Sequence, residues 1–68
     1  MTEYRVKKIN LKNVNTLDEY QQAVNAAPVH YCKGMEELRT YCGGYLHRHR
    51  AGYAASYGDI EYIAEKVR

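Results

Sequence analysis

The sequence predicts a small α+β fold: a short N-terminal strand pair with a crossover helix, then two to three helices. Residues 3–11 and 29–33 are short segments rich in the β-branched and aromatic residues that favour strands. The segment between them, and the segments after residue 34, carry apolar residues at helical spacing. Because 68 residues are few for more than one core, residues 1–68 are predicted to form a single small domain.

The first predicted strand covers residues 3–11. Its apolar side chains change face midway, because Tyr4 and Val6 share one face while Ile9 and Leu11 share the other. This change of phase predicts a bulge or a bend near the central lysines. Lysines are also typical of an exposed edge strand.

The first predicted helix has a clear start and a clear end. Thr16 and Glu19 have the spacing of a capping box, in which each side chain accepts a hydrogen bond from the other residue's backbone N–H. Pro28 disfavours helical geometry before it, so the helix should end at Ala27 or one residue earlier. Pairing of residues 29–33 with the first strand would make this helix a right-handed crossover. Its predicted buried stripe contains Leu17, Tyr20, Val24 and Ala27.

A second helix is predicted from Met35 to Cys42, with acidic residues in its first turn. Met35, Leu38 and Cys42 would face inward. Two interpretations of Gly43-Gly44 stay open: the end of this helix, with a glycine in the left-handed conformation, or a hairpin turn between two strands. The helix end is favoured because the segment MEEL is strongly helical and poorly suited to a strand.

The remaining residues are also interpreted as helical. Ser56 and Asp59 form a second candidate capping box. The apolar stripe predicted after it contains Ile60, Ile63, Ala64 and Val67. A helix over 45–53 would place Tyr45, Leu46, His49 and Tyr53 on one side, and His47, Arg48 and Arg50 on the other.

The composition predicts aromatic rings at the boundary between core and water. The chain has eight Tyr but neither Phe nor Trp, and a buried Tyr hydroxyl needs a hydrogen-bond partner. The net charge is +2 with a pI of about 8.6, below the value of about 9 that indicates nucleic-acid binding by charge alone. The positive charge is local: residues 1–12 have four basic residues against one acidic, and residues 32–50 have four against two.

No targeting, membrane or metal signature stands out. The N-terminus lacks the apolar region of a signal peptide, and no run approaches the roughly 18 apolar residues of a membrane span. We therefore expect a cytoplasmic protein with no membrane partner, whose cysteines are free thiols and not a disulfide. Neither a metal nor a cofactor is predicted, because the available donors lack the paired close cysteines of usual zinc sites. These donors are His30, Cys32, Cys42, His47 and His49.

The predicted function is that of a non-enzymatic binding protein. Catalysis by Cys and His would need an activated thiol in a pocket, and so short a chain has little volume to enclose a substrate. The segment from Met35 to Tyr57 instead concentrates tyrosine and arginine, which are enriched at the centres of protein interfaces. The protein is therefore predicted to inhibit or regulate a larger protein or ribonucleoprotein complex through this segment. About half of the tyrosines in the segment are predicted to close the core instead. The predicted partner-binding residues are Tyr41, Tyr45, His47, Arg48, Arg50, Tyr53 and Tyr57.

A short chain without targeting or catalytic features looks like the small host-directed proteins that bacteriophages and mobile elements encode, anti-defence inhibitors among them. The resemblance is one of type and assigns no role to any residue. The alternative prediction is a nucleic-acid-binding regulator with a helix-turn-helix-like segment over 35–53, in which arginines contact phosphates and tyrosines stack on bases. The modest charge, and the absence of Asn and Gln from the predicted reading helix, weigh against this alternative. Self-association into a homodimer also stays open.

Overall fold

The computed structural model describes residues 2–43, 45–50 and 52–67. These residues form five strands and two helices. All the strands belong to one antiparallel sheet in the order β2-β1-β5-β4-β3. The predicted α+β class is confirmed, although strands dominate. The elements are β1 (Glu3–Asn10), α1 (Leu17–Ala26), β2 (Val29–Lys33), α2 (Gly34–Tyr41), β3 (His47–His49), β4 (Gly52–Tyr57) and β5 (Ile60–Lys66).

The N-terminal strand pair forms, but the predicted right-handed crossover is wrong. β1 and β2 pair antiparallel, with Glu3 opposite Lys33 and Lys7 opposite Val29, whereas the handedness rule applies to parallel strands. The chain leaves β1 and returns to the same end of it, where the Lys8 N–H donates to the Pro28 carbonyl at 3.4 Å. α1 is therefore part of a local excursion between antiparallel neighbours.

β1 is a regular central strand and not a bulged edge strand. Its register with β5 runs without interruption from Tyr4 opposite Lys66 to Asn10 opposite Ile60. The change of apolar phase arises because both faces of the sheet are used. Tyr4 and Val6 lie on the face that α2 covers, whereas Ile9 lies on the opposite face and is fully buried.

α1 begins and ends as predicted, but its packing differs. The Glu19 N–H donates to Thr16 Oγ1 at 3.2 Å, as predicted. The return bond differs from the predicted capping box, because Glu19 Oε1 accepts from the Asn15 N–H and the Thr16 hydroxyl and not from the Thr16 N–H. The last helical residue is Ala26, as Pro28 requires. The predicted stripe is wrong at Leu17, which is 82% exposed. All residues of α1 are described and none is fully buried, so this helix covers its face of the sheet only loosely.

α2 confirms the second predicted helix. Leu38 is fully buried, Cys42 is nearly so, and Met35 packs against the same cluster. Gly43 has a φ of 77°, which confirms the left-handed helix end, while Gly44 lies outside the described residues. The core on this face also contains Tyr4, Val6, Cys32, Ala55 and Ala64.

The helices predicted over 45–53 and after Ser56 are wrong, because β3, β4 and β5 form a meander there. Ser56 and Asp59 do not form a capping box: Tyr57 pairs with Ile60, and Gly58 with Asp59 makes the two-residue turn between them. Gly-Asp is itself a hairpin signal. The apolar residues of the last segment suit either structure locally, but pairing of β5 with the distant β1 selects the strand.

Candidate functional site

The predicted partner-binding residues divide into an exposed group and a packed group. The exposed group lies on residues 45–50 and 52–57, which we call the hairpin edge because β3 is a terminal strand of the sheet. Tyr45 is 79% exposed and Tyr57 is 75% exposed. Both lie toward the open end of the hairpin, since His47 pairs with Ala54. The other exposed residues of the predicted set are His47, Arg48 and Arg50.

Tyr41 and Tyr53 form the packed group. The Tyr41 ring stacks on His30 with centroids 4.2 Å apart and meets Tyr62 edge to face at 5.6 Å. The Tyr53 ring meets Tyr4 edge to face at 5.9 Å. Burial, helped by the nearby Tyr62, raises the pKa of Tyr41. These two rings close the core. Tyr41 lies on α2 and contacts β2, which is the edge of the sheet farthest from the hairpin edge.

The side chains of β3 alternate between the two faces of the sheet. Arg48 is opposite Tyr53 on the face covered by α2, whereas His47 and His49 are opposite Ala54 and Gly52 on the face of α1. A terminal strand leaves backbone N–H and C=O groups along its outer side. The hairpin edge therefore combines aromatic and basic side chains with backbone groups to which a partner strand can hydrogen-bond.

Arg50 occupies a backbone conformation that does not suit arginine. It lies in the turn between β3 and β4 with a φ of 52°, in the left-handed region that favours Gly and Asn. A non-glycine residue there costs roughly 1–2 kcal/mol. A residue kept in such a conformation is a candidate for a functional role, because Asn or Gly would form the same turn at lower cost.

A cleft of about 530 Å³ separates α1 from the turn of the hairpin edge. Its volume is in the range of small-ligand sites, about 300–1,000 Å³. Tyr20 and Gln21 line the side formed by α1, His49 and Arg50 line the other side, and Ile63 contributes to the floor. The α1 residues of this cleft were not among the predicted site residues, because their proximity to the hairpin depends on how the helix lies across the sheet.

The α1 side of the cleft is held by polar contacts to the sheet. The Tyr20 hydroxyl donates to Glu61 Oε1 at 2.6 Å, and this hydrogen bond, assisted by burial, raises the pKa of Tyr20 to about 12. Lys7 Nζ donates to the carbonyl oxygen of Val24 at 3.3 Å. The positive charge of Arg50, which also lines the cleft, opposes this rise in the pKa of Tyr20.

The two cysteines are free, buried thiols. Burial raises the pKa of Cys42 to about 11, with a further contribution from Cys32. Burial, and then the negative charge of Glu37, raises the pKa of Cys32. The thiolate is the nucleophilic form of cysteine, so both side chains are protonated and weakly reactive at neutral pH.

The five metal donors considered in the sequence do not come together. His47 and His49 lie on β3, four strand spacings or roughly 19 Å across the sheet from His30 and Cys32 on β2. Glu37 joins His30 and Cys32 instead, and the ligand atoms of these three residues lie within 4.8 Å of one another. Glu37 was not among the predicted donors, although its position one turn into the helix that follows β2 was a usable signal.

Neither α1 nor α2, the helices of the described ranges, is long and apolar enough to cross a membrane. Comparison of the chain with protein-family models, curated proteins and solved structures gave no match.

Proposed function

We propose that this chain is a non-enzymatic binding protein that inhibits or regulates a larger protein or ribonucleoprotein complex through its hairpin edge. The observation that supports this most is the exposure of two tyrosine rings, Tyr45 and Tyr57, toward the open end of a hairpin whose terminal strand carries the exposed Arg48. Tyrosine and arginine are enriched among the few residues that contribute most of the binding energy of protein interfaces. The proposal includes a cytoplasmic, anti-defence-like role of the kind that small phage and mobile-element proteins perform.

The packing of the aromatic residues supports the assignment to the hairpin edge. Four rings (Tyr4, Tyr41, Tyr53 and Tyr62) contact one another or His30 in the core cluster or at its border. Tyr45 and Tyr57 remain largely exposed. Tyrosine has few rotatable bonds, so ordering an exposed ring in an interface costs little conformational entropy.

The state of the thiols supports a function without catalysis. A catalytic cysteine needs a lowered pKa and a neighbouring base. In this chain burial shifts the pKa values of Cys32 and Cys42 upward. Neither cysteine belongs to the cleft beside α1, where a small substrate would fit.

Nucleic acid is the second candidate partner for the same edge. Arg48 and Arg50 lie in the same hairpin as the exposed Tyr45, and arginine and tyrosine together can hold phosphates and stack on a base. The helix-turn-helix form of this alternative is wrong, since His47–His49 and Gly52–Tyr57 are strands. Contact would therefore involve the edge and not a helix in the major groove.

The first test is a pull-down from bacterial lysate with the tagged chain, with and without nuclease treatment. A protein or complex that remains bound after nuclease supports the proposal and becomes the partner for affinity measurements. Tyr45→Ala and Tyr57→Ala should then weaken binding by about 2 kcal/mol each, which is about 30-fold. Tyr31→Ala is the matched control, because Tyr31 is 55% exposed on the opposite edge strand.

If nuclease treatment removes all the material retained in the pull-down, the partner is nucleic acid and not a protein. In that case Arg48→Ala should lower the slope of log affinity against log salt by about one. Lys33→Ala on β2 is the matched control, since it removes an exposed charge from the opposite edge. Equal losses from Tyr31→Ala and Tyr45→Ala would contradict the assignment of the site to the hairpin edge.

Arg50→Asn separates binding from folding. Asn tolerates the left-handed turn conformation better than Arg, so the variant should be at least as stable as the wild type. Loss of partner binding without loss of stability would assign Arg50 to the interface. Unchanged binding would remove Arg50 from the proposed site.

A further inference from the structure

His30, Cys32 and Glu37 form a cluster of three different metal-ligating side chains outside the hairpin edge. His30 and Cys32 are two residues apart on β2 and project from the same face, opposite Val6 and Tyr4 of β1. Glu37 reaches them from α2, and the ligand atoms of the three residues lie within 4.8 Å of one another.

The local backbone explains why Glu37 faces β2. Gly34 has a φ of 85°, which ordinary residues rarely adopt, and this allows α2 to begin directly after β2 without a loop. The first turns of the helix therefore fold back over the strand, and Leu38, the residue after Glu37, is fully buried in the core beneath.

Two of the three donors are held in place by packing. The His30 ring is stacked on Tyr41 with an interplanar angle of 11°, which limits the directions in which its nitrogen atoms point. Cys32 is fully buried, whereas His30 and Glu37 are exposed. The sulfur atom thus forms the base of the cluster, and the imidazole and carboxylate form a rim open to solvent.

The donor set and its dimensions suit zinc. Zn²⁺ binds Cys sulfur at about 2.3 Å and His nitrogen or carboxylate oxygen at about 2.0–2.2 Å, in tetrahedral geometry. Tetrahedral ligands at those lengths are roughly 3.3–3.7 Å apart, so the ligand atoms of the cluster need to approach one another by at most roughly 1–1.5 Å. Mixed sulfur, nitrogen and oxygen donors favour Zn²⁺ over the oxygen-seeking Mg²⁺ and Ca²⁺.

We propose that His30, Glu37 and the thiolate of Cys32, whose proton is released to solvent when the ion binds, form a Zn²⁺ site with three protein ligands and a fourth position open to solvent. A bound ion would join the edge strand β2 to α2, and so would hold the first turns of the helix against the sheet. This site is independent of the hairpin edge, which lies at the other end of the sheet.

The test is titration of the reduced, full-length chain with Co²⁺, followed by displacement with Zn²⁺. We expect binding of one equivalent of Co²⁺, with a sulfur-to-cobalt charge-transfer band and the visible bands of tetrahedral cobalt, and loss of both spectra when Zn²⁺ is added. Zn²⁺ should also raise the melting temperature, because an ion that binds only the folded state stabilises it.

Variants of the exposed ligands keep the test independent of folding. His30→Ala and Glu37→Gln should each weaken metal binding by at least about 10–100-fold. That is the loss seen when the removed residue only hydrogen-bonds to a metal ligand and does not itself bind the metal. Cys32→Ser should abolish the charge-transfer band. His47→Ala and Glu36→Gln are matched controls, because they remove an exposed histidine at the other sheet edge and an exposed acid of the same helical turn.

Three results would overturn the assignment. One is the absence of a sulfur-to-cobalt band at one equivalent of Co²⁺ in folded protein. Another is binding that His30→Ala and Glu37→Gln leave unchanged. The third is an equal loss of affinity in the His47→Ala or Glu36→Gln control, which would indicate non-specific binding to surface groups.

Discussion

Replacement of Gly52 by alanine should destabilise the fold through a backbone collision. Gly52 begins β4 directly after the turn of the hairpin edge and lies opposite Glu65 of β5. A Cβ atom at this position would overlap the carbonyl oxygen of Ala64. It would also lie 2.9 Å from the Ala64 carbonyl carbon and 3.2 Å from the Glu65 Cα atom. These are all backbone atoms, so no side-chain rotation can relieve the contact.

The size of the effect follows from two opposing contributions. Alanine restricts the unfolded chain and would by itself stabilise the protein by about 0.4–1 kcal/mol. Forcing an extra methyl group into filled space costs about 1–3 kcal/mol, occasionally more. Because β4 and β5 must separate at their first pair, we expect the upper part of that range and a net loss of about 2 kcal/mol. In a domain of this size that loss lowers the melting temperature by roughly 8–16 °C.

Thermal unfolding followed by circular dichroism measures this loss directly. Ser56→Ala is the control, because it changes an exposed side chain of the same strand and should alter stability by less than about 0.5 kcal/mol. A Gly52→Ala protein that melts within about 4 °C of the wild type, less than 1 kcal/mol, would refute the close approach of β4 to β5. It would also remove the structural basis for the position of the hairpin edge.

Two further predictions concern the helices. Leu38→Ala should lower the free energy of unfolding by about 2–5 kcal/mol, because Leu38 is fully buried. Leu17→Ala should lower it by less than about 0.5 kcal/mol, because Leu17 is 82% exposed. Similar losses for the two variants in urea unfolding would contradict the packing described for both helices. The pKa of Tyr20 is raised from 10.0 to about 12, so its hydrogen bond to Glu61 contributes fully below pH 10 and is lost as the pH rises through 12. The stability advantage of the wild type over Tyr20→Phe should therefore be constant below pH 10 and shrink between pH 10 and 12, and an advantage that stays constant or grows over this range would count against the Tyr20–Glu61 bond.

Local signals explain the parts of the fold that could be predicted. The capping residue Thr16 and the break at Pro28 bound α1, and both act within a few residues of the helix ends. The inward residues of α2 follow from one helical period. The short strand over Val29–Lys33 was also predicted, and it forms as β2.

The C-terminal half could not be predicted in the same way. Ile60, Ile63 and Ala64 have a spacing that a helix would use, yet β5 pairs with β1, whose residues lie 50 to 62 positions earlier in the chain. A strand gains its stability from such distant partners, so periodicity within one segment cannot select it. The turn at Gly58-Asp59 was the one local signal for this hairpin, and the neighbouring Ser56–Asp59 capping pattern competed with it.

The candidate site shows the same division. The enrichment of tyrosine and arginine between residues 35 and 57 is a property of composition, and it correctly predicted that exposed tyrosine and arginine residues lie in this segment. Composition could not separate Tyr41 and Tyr53, which pack in the core, from Tyr45 and Tyr57, which are exposed. That separation depends on which side of each element faces the sheet.

The α+β class, the limits of both helices to within one residue and the strand before α2 could be predicted from the sequence, because these depend on residues within a few positions of one another. The five-stranded order β2-β1-β5-β4-β3 became apparent only from the pairing of the strands in the folded chain. The fold also brings Glu37 together with His30 and Cys32, and it separates that cluster from the histidines of β3. The physical reason is that sheet register joins residues far apart in the chain, so proximity in space is set by pairing and not by spacing in the sequence.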